Sequence, residues 1–476
     1  MHIEFIKLNE SIYRINCERS VLMELNDCFS FFAENYKWNP KFKKGWWDGK
    51  IKLVNLKEHT IPVGLKEDLI KFCEERDYTY AFEKDDEPKI TRDEAIEFIK
   101  SLNIPSEFDI REYQVQSFVE SVNSSRNITL SATSSGKTML MYYLIRYYNL
   151  KTLIITPLTG LITQVYGDFD SYGYEANKYV SSDKNSKAQI ITLTWQTIQF
   201  IKDQDWFDQF DLVIVDEVHS ADAVVLSKII SNLPYAKYRF GLTGTLKDSK
   251  TSEMQLKGLF GIISRGITTR ELIDQGFAAD IKIKAITLRY PEADRKACRK
   301  LDYPQELDFI LQHPRRNIFI KNLILSLKGN TLVLFRYKEK HGIPLYELLK
   351  EHAPDRKVYY VSGDVEDEER DAIKAILEAE DDVIVIASDV FTTGISIKKI
   401  HNMVFTSPSK ARIKTLQSIG RGLRMSKEKL SCLLVDLSDD FSYKKYKNYT
   451  LQHFIERIKM YNEEGFEYQL FTKELK

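Results

Sequence analysis

NITLSATSSGKT, residues 127–138, is a short β-branched apolar run, then a loop of small polar residues, then the opening of the helical stretch MLMYYLIRYY. A strand that feeds such a loop and then a helix is the setting in which backbone N–H groups and a positive helix end cradle phosphates. In this reading Ser131, Ala132, Thr133, Ser134 and Ser135 form the loop and Gly136 allows close approach. Lys137 places a cation on the β and γ phosphates of ATP, and Thr138 offers a hydroxyl to Mg²⁺. Ser131 stands where the G-x-x-x-x-G-K-[ST] pattern has its first glycine. Taken alone, SGKT also fits a polar turn that caps a helix, so its surroundings decide.

The surroundings repeat the unit. TLIIT (152–156) leads into PLTG, and DLVIV (211–215) leads into DEVHS. These runs are apolar throughout rather than alternating, which fits strands of a parallel sheet covered by helices on both faces. From about residue 330 the pattern starts again with TLVLF, KVYYVSG, DVIVIAS, NMVFTS and CLLVDL. The predicted fold is α/β: two tandem recA-like, doubly wound lobes with a small α+β amino-terminal domain and a helical carboxyl-terminal extension. The boundaries read as 1–88 for the amino-terminal module, 89–280 for the first lobe, 281–329 for an inter-lobe segment, 330–440 for the second lobe and 441–476 for the basic extension.

Length and composition agree with this modularity. A chain of 476 residues exceeds one hydrophobic core, and 43% hydrophobic with 29% charged residues describes a folded globular protein. The five cysteines form no Cys-x-x-Cys pair, so neither a disulfide framework nor a zinc site is expected. The amino terminus alternates like a strand, and no run of about 18 apolar residues occurs, which predicts a cytoplasmic protein with no membrane partner. Basic and acidic residues number 69 each, so a polyanion partner must be sought in local charge.

DLVIVDEVH sets Asp216 and Glu217 at the carboxyl end of a buried strand, where ligands bind in doubly wound sheets. Asp216 is expected to hold Mg²⁺ and Glu217 to orient and deprotonate the attacking water. His219 is read as a polar link from that site to the next loop. In the second lobe, QSIGRGLR puts Gln417, Arg421 and Arg424 on one helical face, because positions i, i+4 and i+7 align. Two arginines there are expected to stabilise charge on the γ-phosphate.

These motifs resemble those of superfamily 2 helicases, in family order across roughly residues 108–436. The resemblance implies adenine recognition by Arg111 and Gln114 of REYQ, and nucleic-acid backbone contacts at Thr156-Pro157 and at Thr194 and Gln196. It implies a coupling motif at Thr243-Gly244-Thr245. In the second lobe it implies roles for Ser362-Gly363, Arg370, Thr392 and Thr393, with Gly394 at the nucleotide. Ser396 stands where the family often has aspartate. PKFKKGWWDGKIKL at 40–53, the GLTGTLKD of the first lobe and the tyrosine-rich tail are similar to the UvsW-type recombination and repair helicases of tailed phages. That likeness implies an ATP-dependent DNA helicase in the host cytoplasm, and a single chain that carries its arginines in cis is expected to work as a monomer. It would regress forks, migrate Holliday junctions and remove R-loops, with RNA–DNA hybrids among its substrates. The alternative is an RNA helicase of the DEVH type. A restriction motor would need a nuclease, and no D-x(n)-E-x-K site stands in a strand context outside the lobes.

Seven lysines lie between Lys37 and Lys57, interleaved with Trp38, Phe42, Trp46 and Trp47. Lys41, Lys43 and Lys44 are suited to phosphates, and an exposed Trp46 or Trp47 to stacking on an unpaired base. The tryptophans serve equally well as the core of a small module, and sequence leaves both readings open. Lys444, Lys445 and Lys447 form a weaker second basic run.

Overall fold

The computed structural model describes residues 1–83, 89–220, 223–246, 249–361, 375–388, 399–407 and 431–475. The chain divides into two compact units, one of Met1–Ala132 with Gly136–Ile267, the other of Thr133–Ser135 with Thr268–Lys476.

In the first unit, β1 (His2–Lys7) pairs antiparallel with β2 (Ile12–Asn16) and parallel with β6 (Thr79–Phe82), and β5 (Thr60–Pro62) completes a sheet ordered β5-β2-β1-β6. Alternation turns Ile3, Phe5, Tyr13 and Ile15 inward, against Val21, Leu22 and Leu25 of helix Arg19–Cys28 and Leu69 and Phe72 of helix Lys66–Glu74. A separate antiparallel ribbon, β3 (Ser30–Phe32) with β4 (Lys50–Lys52), carries the lysine–tryptophan segment between its strands.

This module is locked to the lobe that follows it. The Glu10 N–H donates to Pro234 O at 2.9 Å, and Arg126 donates to the Glu10 carboxylate at 2.6 Å. Arg239 is fully buried and donates to Leu233 O, Ala236 O and Ser11 Oγ at 2.7–2.9 Å. Burial, with Arg126 close by, presses the Arg239 pKa well down. Gly64 packs against the helix Lys250–Phe260 so closely that a Cβ would stand 2.8 Å from Gly258 O. Only glycine fits there.

The first lobe is a parallel sheet of β7 (Arg126–Leu130), β8 (Thr152–Thr156), β9 (Val180–Ser181), β10 (Ile190–Thr194), β11 (Leu212–Asp216), β12 (Tyr238–Thr243) and β13 (Ile262–Arg265), ordered β13-β7-β12-β11-β8-β10-β9. Its faces hold different cores. Ile154, Ile214, Phe240 and Leu242 meet the helix Lys137–Tyr148 on one side. Leu153, Ile155, Val213 and Val215 meet Leu226, Ile229 and Phe260 on the other. Two-sided burial explains the continuous apolar runs, and each such side chain contributes about 1.5–3 kcal/mol. The stacking also puts Thr156, Thr194, Asp216 and Thr243 at the same, carboxyl edge of the sheet.

The second sheet is also parallel: β14 (Asp280–Arg289), β15 (Thr331–Phe335), β16 (Val358–Val361), β17 (Ile384–Ser388), β18 (Asn402–Phe405), β19 (Ser431–Asp440) and β20 (Tyr468–Glu474), ordered β16-β17-β15-β18-β19-β14-β20. The segment 281–329, read from sequence as a bridge, therefore supplies a strand within this sheet. β14 runs beside β19 from Asp280↔Ser431 to Arg289↔Asp440. Its alternation, with Ile281, Ile283 and Ala285 buried and Lys282 and Lys284 exposed, hides it from a search for wholly apolar runs. The tail is helical over Tyr449–Glu463, as expected, but then adds β20 at the edge next to β14.

Buried ion pairs tie helices to this sheet. Arg316 meets Asp439 at 2.8 Å and Arg457 meets Asp436 at 2.7 Å, with all four side chains nearly inaccessible. His341 is buried too, and burial followed by repulsion from Arg316 pushes its pKa down from 6.5 to about 3. The folded protein keeps this imidazole neutral while the unfolded chain takes a proton below its ordinary value. Stability is therefore complete above pH 6.5 and falls as pH drops toward 3, by about 1.4 kcal/mol per unit, or about 2 kcal/mol at pH 5. His341→Gln should flatten this part of the pH–stability curve. Parallel curves for variant and parent between pH 6.5 and 4.5 would refute the assignment.

Candidate nucleotide site and nucleic-acid surface

Lys137 is the first residue of its helix, after Gly136 in the left-handed region at φ 85°. The Gln114 amide, buried on the helix Glu112–Ser124, presses on Gly136 where a Cβ would sit, so the REYQ glutamine and the phosphate loop are neighbours. Arg111 donates to the Tyr113 hydroxyl at 2.9 Å. The start of the loop is pinned to the sheet edge, Ser131 N–H to Thr243 O and Ala132 N–H to Ile267 O, each at 2.9 Å.

The Lys137 ammonium donates to Ser131 O and Ala132 O at 3.3 and 3.4 Å and stands 3.9 Å from Glu217 Oε1. Asp216, at the end of β11, has its pKa pushed up to about 7, by burial first and then by the Glu217 charge, against the pull of Lys137. Its carboxylate accepts from the Glu217 N–H at 2.9 Å. Glu217 adopts φ 47°, a left-handed conformation that costs about 1 kcal/mol or more for a side chain of this kind and aims its carboxylate back at Lys137.

From Glu217 a chain of polar contacts runs to β12. Glu217 Oε2 lies 3.3 Å from His219 Nδ1 and 3.5 Å from Thr243 Oγ1, and His219 Nδ1 meets Thr243 Oγ1 at 2.5 Å. The Thr243 hydroxyl donates to Thr245 O at 2.8 Å, which leaves its oxygen to accept from an Nδ1–H tautomer of His219. The predicted coupling residues His219, Thr243 and Thr245 thus stand in one network with Glu217. Asp168 adds a further negative charge that raises Asp216, a contribution no motif signals.

Two adjacent carboxylates with one ammonium beside them fit a hard divalent cation. Among the described residues no cluster of three metal-ligating side chains exists.

The predicted strand-end contacts divide by exposure. Thr156 is fully buried with its hydroxyl donating to Leu158 O, and Thr194 caps the turn at Thr197, while Gln196 is exposed and donates to Pro157 O at 3.1 Å. Ser362, Gly363, Arg370, Thr392, Thr393, Gly394, Ser396, Gln417, Arg421 and Arg424 lie outside the described residues.

On the amino-terminal ribbon the tryptophans separate. Trp47 is half-buried and donates its indole N–H to Lys50 O at 2.8 Å. Trp46 and Trp38 are 74% and 75% exposed, with Lys44 Nζ 4.8 Å from the first ring and Lys43 Nζ 5.2 Å from the second. Phe32 is exposed as well, stacked on Tyr36 at 4.5 Å with Lys50 Nζ 5.4 Å from its ring. Trp38 belongs to the expected basic-aromatic cluster and Phe32 lies outside it, and sequence alone does not distinguish an exposed ring from a core one.

Residues 2–83 match the family model described as DNA helicase UvsW, N-terminal. Along its whole length the chain is similar to the ATP-dependent DNA helicase UvsW of Enterobacteria phage T4, 35% identical over 97% of each chain. The chain belongs to the UvsW family. This UvsW-family chain also resembles the crystal structure of the T4 protein, at 34% identity and TM-score 0.52 with both chains fully covered. Residues 107–248 match the type III restriction enzyme res subunit model and 315–426 the helicase conserved C-terminal domain. A type I restriction subunit fragment from Vibrio vulnificus, 17% identical, covers 86% of this chain and 74% of its own at TM-score 0.58, a likeness of fold alone. Family membership makes this an ATP-hydrolysing superfamily 2 helicase. No helix among the described residues is long and apolar enough to cross a membrane.

Proposed function

We propose that this helicase couples ATP hydrolysis to remodelling branched DNA: regressing forks, migrating Holliday junctions and clearing R-loops. The observation that carries the motor half is the continuous contact path from Lys137 through Glu217 to His219 and Thr243. Lys137 binds the β and γ phosphates, Thr138 and Asp216 would hold Mg²⁺, and Glu217 orients the water and accepts its proton. Mg²⁺ supplies charge neutralisation on the phosphates. As Glu217 changes charge, the competition between it, His219 and the Thr245 carbonyl for the Thr243 hydroxyl shifts, which passes the state of the nucleotide to the end of β12. Arg421 and Arg424 serve as the second lobe's counter-charges.

The DNA half rests on Lys41, Lys43 and Lys44 around the exposed rings of Trp38 and Trp46. Lysines neutralise phosphates and an open aromatic face stacks on an unpaired base, a combination suited to a junction between paired and unpaired strands. The test is ATPase stimulation by forked DNA, linear duplex, single-stranded DNA and RNA. Forked DNA should stimulate most, and reversing Lys41, Lys43 and Lys44 to Glu should weaken fork binding and flatten its salt dependence. Stimulation by RNA alone would transfer the protein to the DEVH-type RNA helicases.

A further inference from the structure

Far apart in sequence, RKACRK (295–300) and KKYK (444–447) meet in the second unit. The end of helix Glu292–Cys298 and the turn at Tyr443–Tyr446 line an open hollow of about 700 Å³, walled by Lys296, Ala297, Arg299, Lys300, Tyr443 and Lys444. None of these lining side chains is acidic, although the charges of the whole chain cancel. The ammonium groups of Lys296 and Lys444 stand 5.6 and 5.8 Å from the Tyr443 ring centroid, and Lys296 also pairs with Glu292 at 2.8 Å on the rim.

The hollow is held in shape by buried groups. Cys298 is fully buried beneath it, and Arg295 donates to Ser442 O at 3.4 Å, joining the two runs. Tyr443 and Tyr446 exchange backbone hydrogen bonds at 3.1 and 3.0 Å. The inaccessible Glu306 carboxylate accepts from the Tyr446 hydroxyl, the Asn448 amide and the N–H groups of Tyr449 and Thr450. On this fixed turn Lys444 takes φ 55°. A lysine is strained there where glycine or asparagine would be cheap, and strain retained at an exposed cation points to a role for the cation.

We infer that this hollow is a second DNA-contact site, one that grips the sugar-phosphate backbone; the inference rests on the DNA-helicase reading above. The polar lining side chains are four cations and one phenol, and cations set on phosphates position the duplex without carrying sequence information, so the grip is on the backbone. Neutralising several phosphates releases counterions, and this gives the test its readout.

Fork affinity should be measured against salt for the full chain, for Arg299→Glu/Lys300→Glu/Lys444→Glu, and for Lys444→Gly. The triple variant should bind at least about tenfold more weakly near 0.1 M salt, with a log–log slope shallower by about 2–3. Lys444→Gly removes the strain, so it should lose about one unit of slope while melting no lower than the parent. That result separates lost contact from lost fold. Unchanged affinity and slope in both variants, with the parent binding forks, would overturn this site alone. A parent that binds no DNA would overturn the functional reading with it. Retention of polyglutamate by the parent, lost in the triple variant while its fork binding persists, would assign the hollow to an acidic polypeptide and also overturn the proposal.

Discussion

Lys137→Ala is expected to reduce ATP turnover by on the order of a thousandfold or more, because in the function proposed above the lysine acts on the transferring phosphoryl group, in a partly buried site where a lost cation is not replaced by water. The variant should fold, since Lys137 contributes only two long hydrogen bonds to loop carbonyls and a 3.9 Å contact to Glu217. It should bind ATP poorly as well, because the cation acts in ground and transition states alike. Glu217→Gln separates the two effects. It preserves shape and the neighbours of His219 but cannot accept the proton of the attacking water, so turnover should fall about 10²–10⁴-fold with nucleotide binding retained. Single-turnover hydrolysis alongside fluorescent-nucleotide titration distinguishes these outcomes. Persistent turnover in Lys137→Ala would show that the phosphate site lies elsewhere.

That Lys137, Asp216 and Glu217 lie together could be read from sequence because each sits in a short local motif. Gly136, Lys137 and Thr138 are adjacent, and DEVH is one strand end, so a single segment fixes each element. Continuous apolar runs likewise disclosed the interior strands of both lobes. What was hidden depends on partners distant in the chain. β14 alternates lysine with isoleucine since only one face is covered, and so it reads as a charged linker. Trp46 and Trp47 are adjacent and chemically equal. One is exposed and the other half-buried because the Trp47 indole finds the Lys50 carbonyl across the ribbon turn. Thr156 and Thr194 sit where the helicase pattern puts backbone contacts, yet the packing turns their hydroxyls into local caps and leaves Gln196 facing outward. The hollow beneath Lys444 needed two basic runs that no spacing rule connects.

Asp439→Ala is expected to destabilise the second unit by about 3–5 kcal/mol, the usual cost of stranding one member of a buried ion pair. Asp439 accepts from Arg316 Nε and Nη2 at 2.8 and 3.1 Å and from the Tyr290 hydroxyl at 2.7 Å, and neither member of the pair is accessible. Truncation therefore leaves a guanidinium and a phenol buried without their acceptor. The pair is nonetheless a weak source of net stability. Both ions lose their hydration, and Arg316 Nη1 finds no acceptor among the described residues. Arg316→Met with Asp439→Leu should accordingly recover most of the loss and melt within a few degrees of the parent. What the double variant should not recover is position. Arg316 Nη2 also donates to Thr406 O at 2.7 Å, just past β18, and the next residue, Ser407, accepts from Arg336 N–H at the end of β15. The ion pair thus fixes the carboxyl edge of the second sheet, where doubly wound folds carry their ligand loops. The double variant should keep its fold yet lose DNA-stimulated ATPase, and calorimetry paired with that assay reads both. A drop below about 1 kcal/mol for Asp439→Ala, or full activity in the double variant, would show that the charge pair neither supports nor positions this edge.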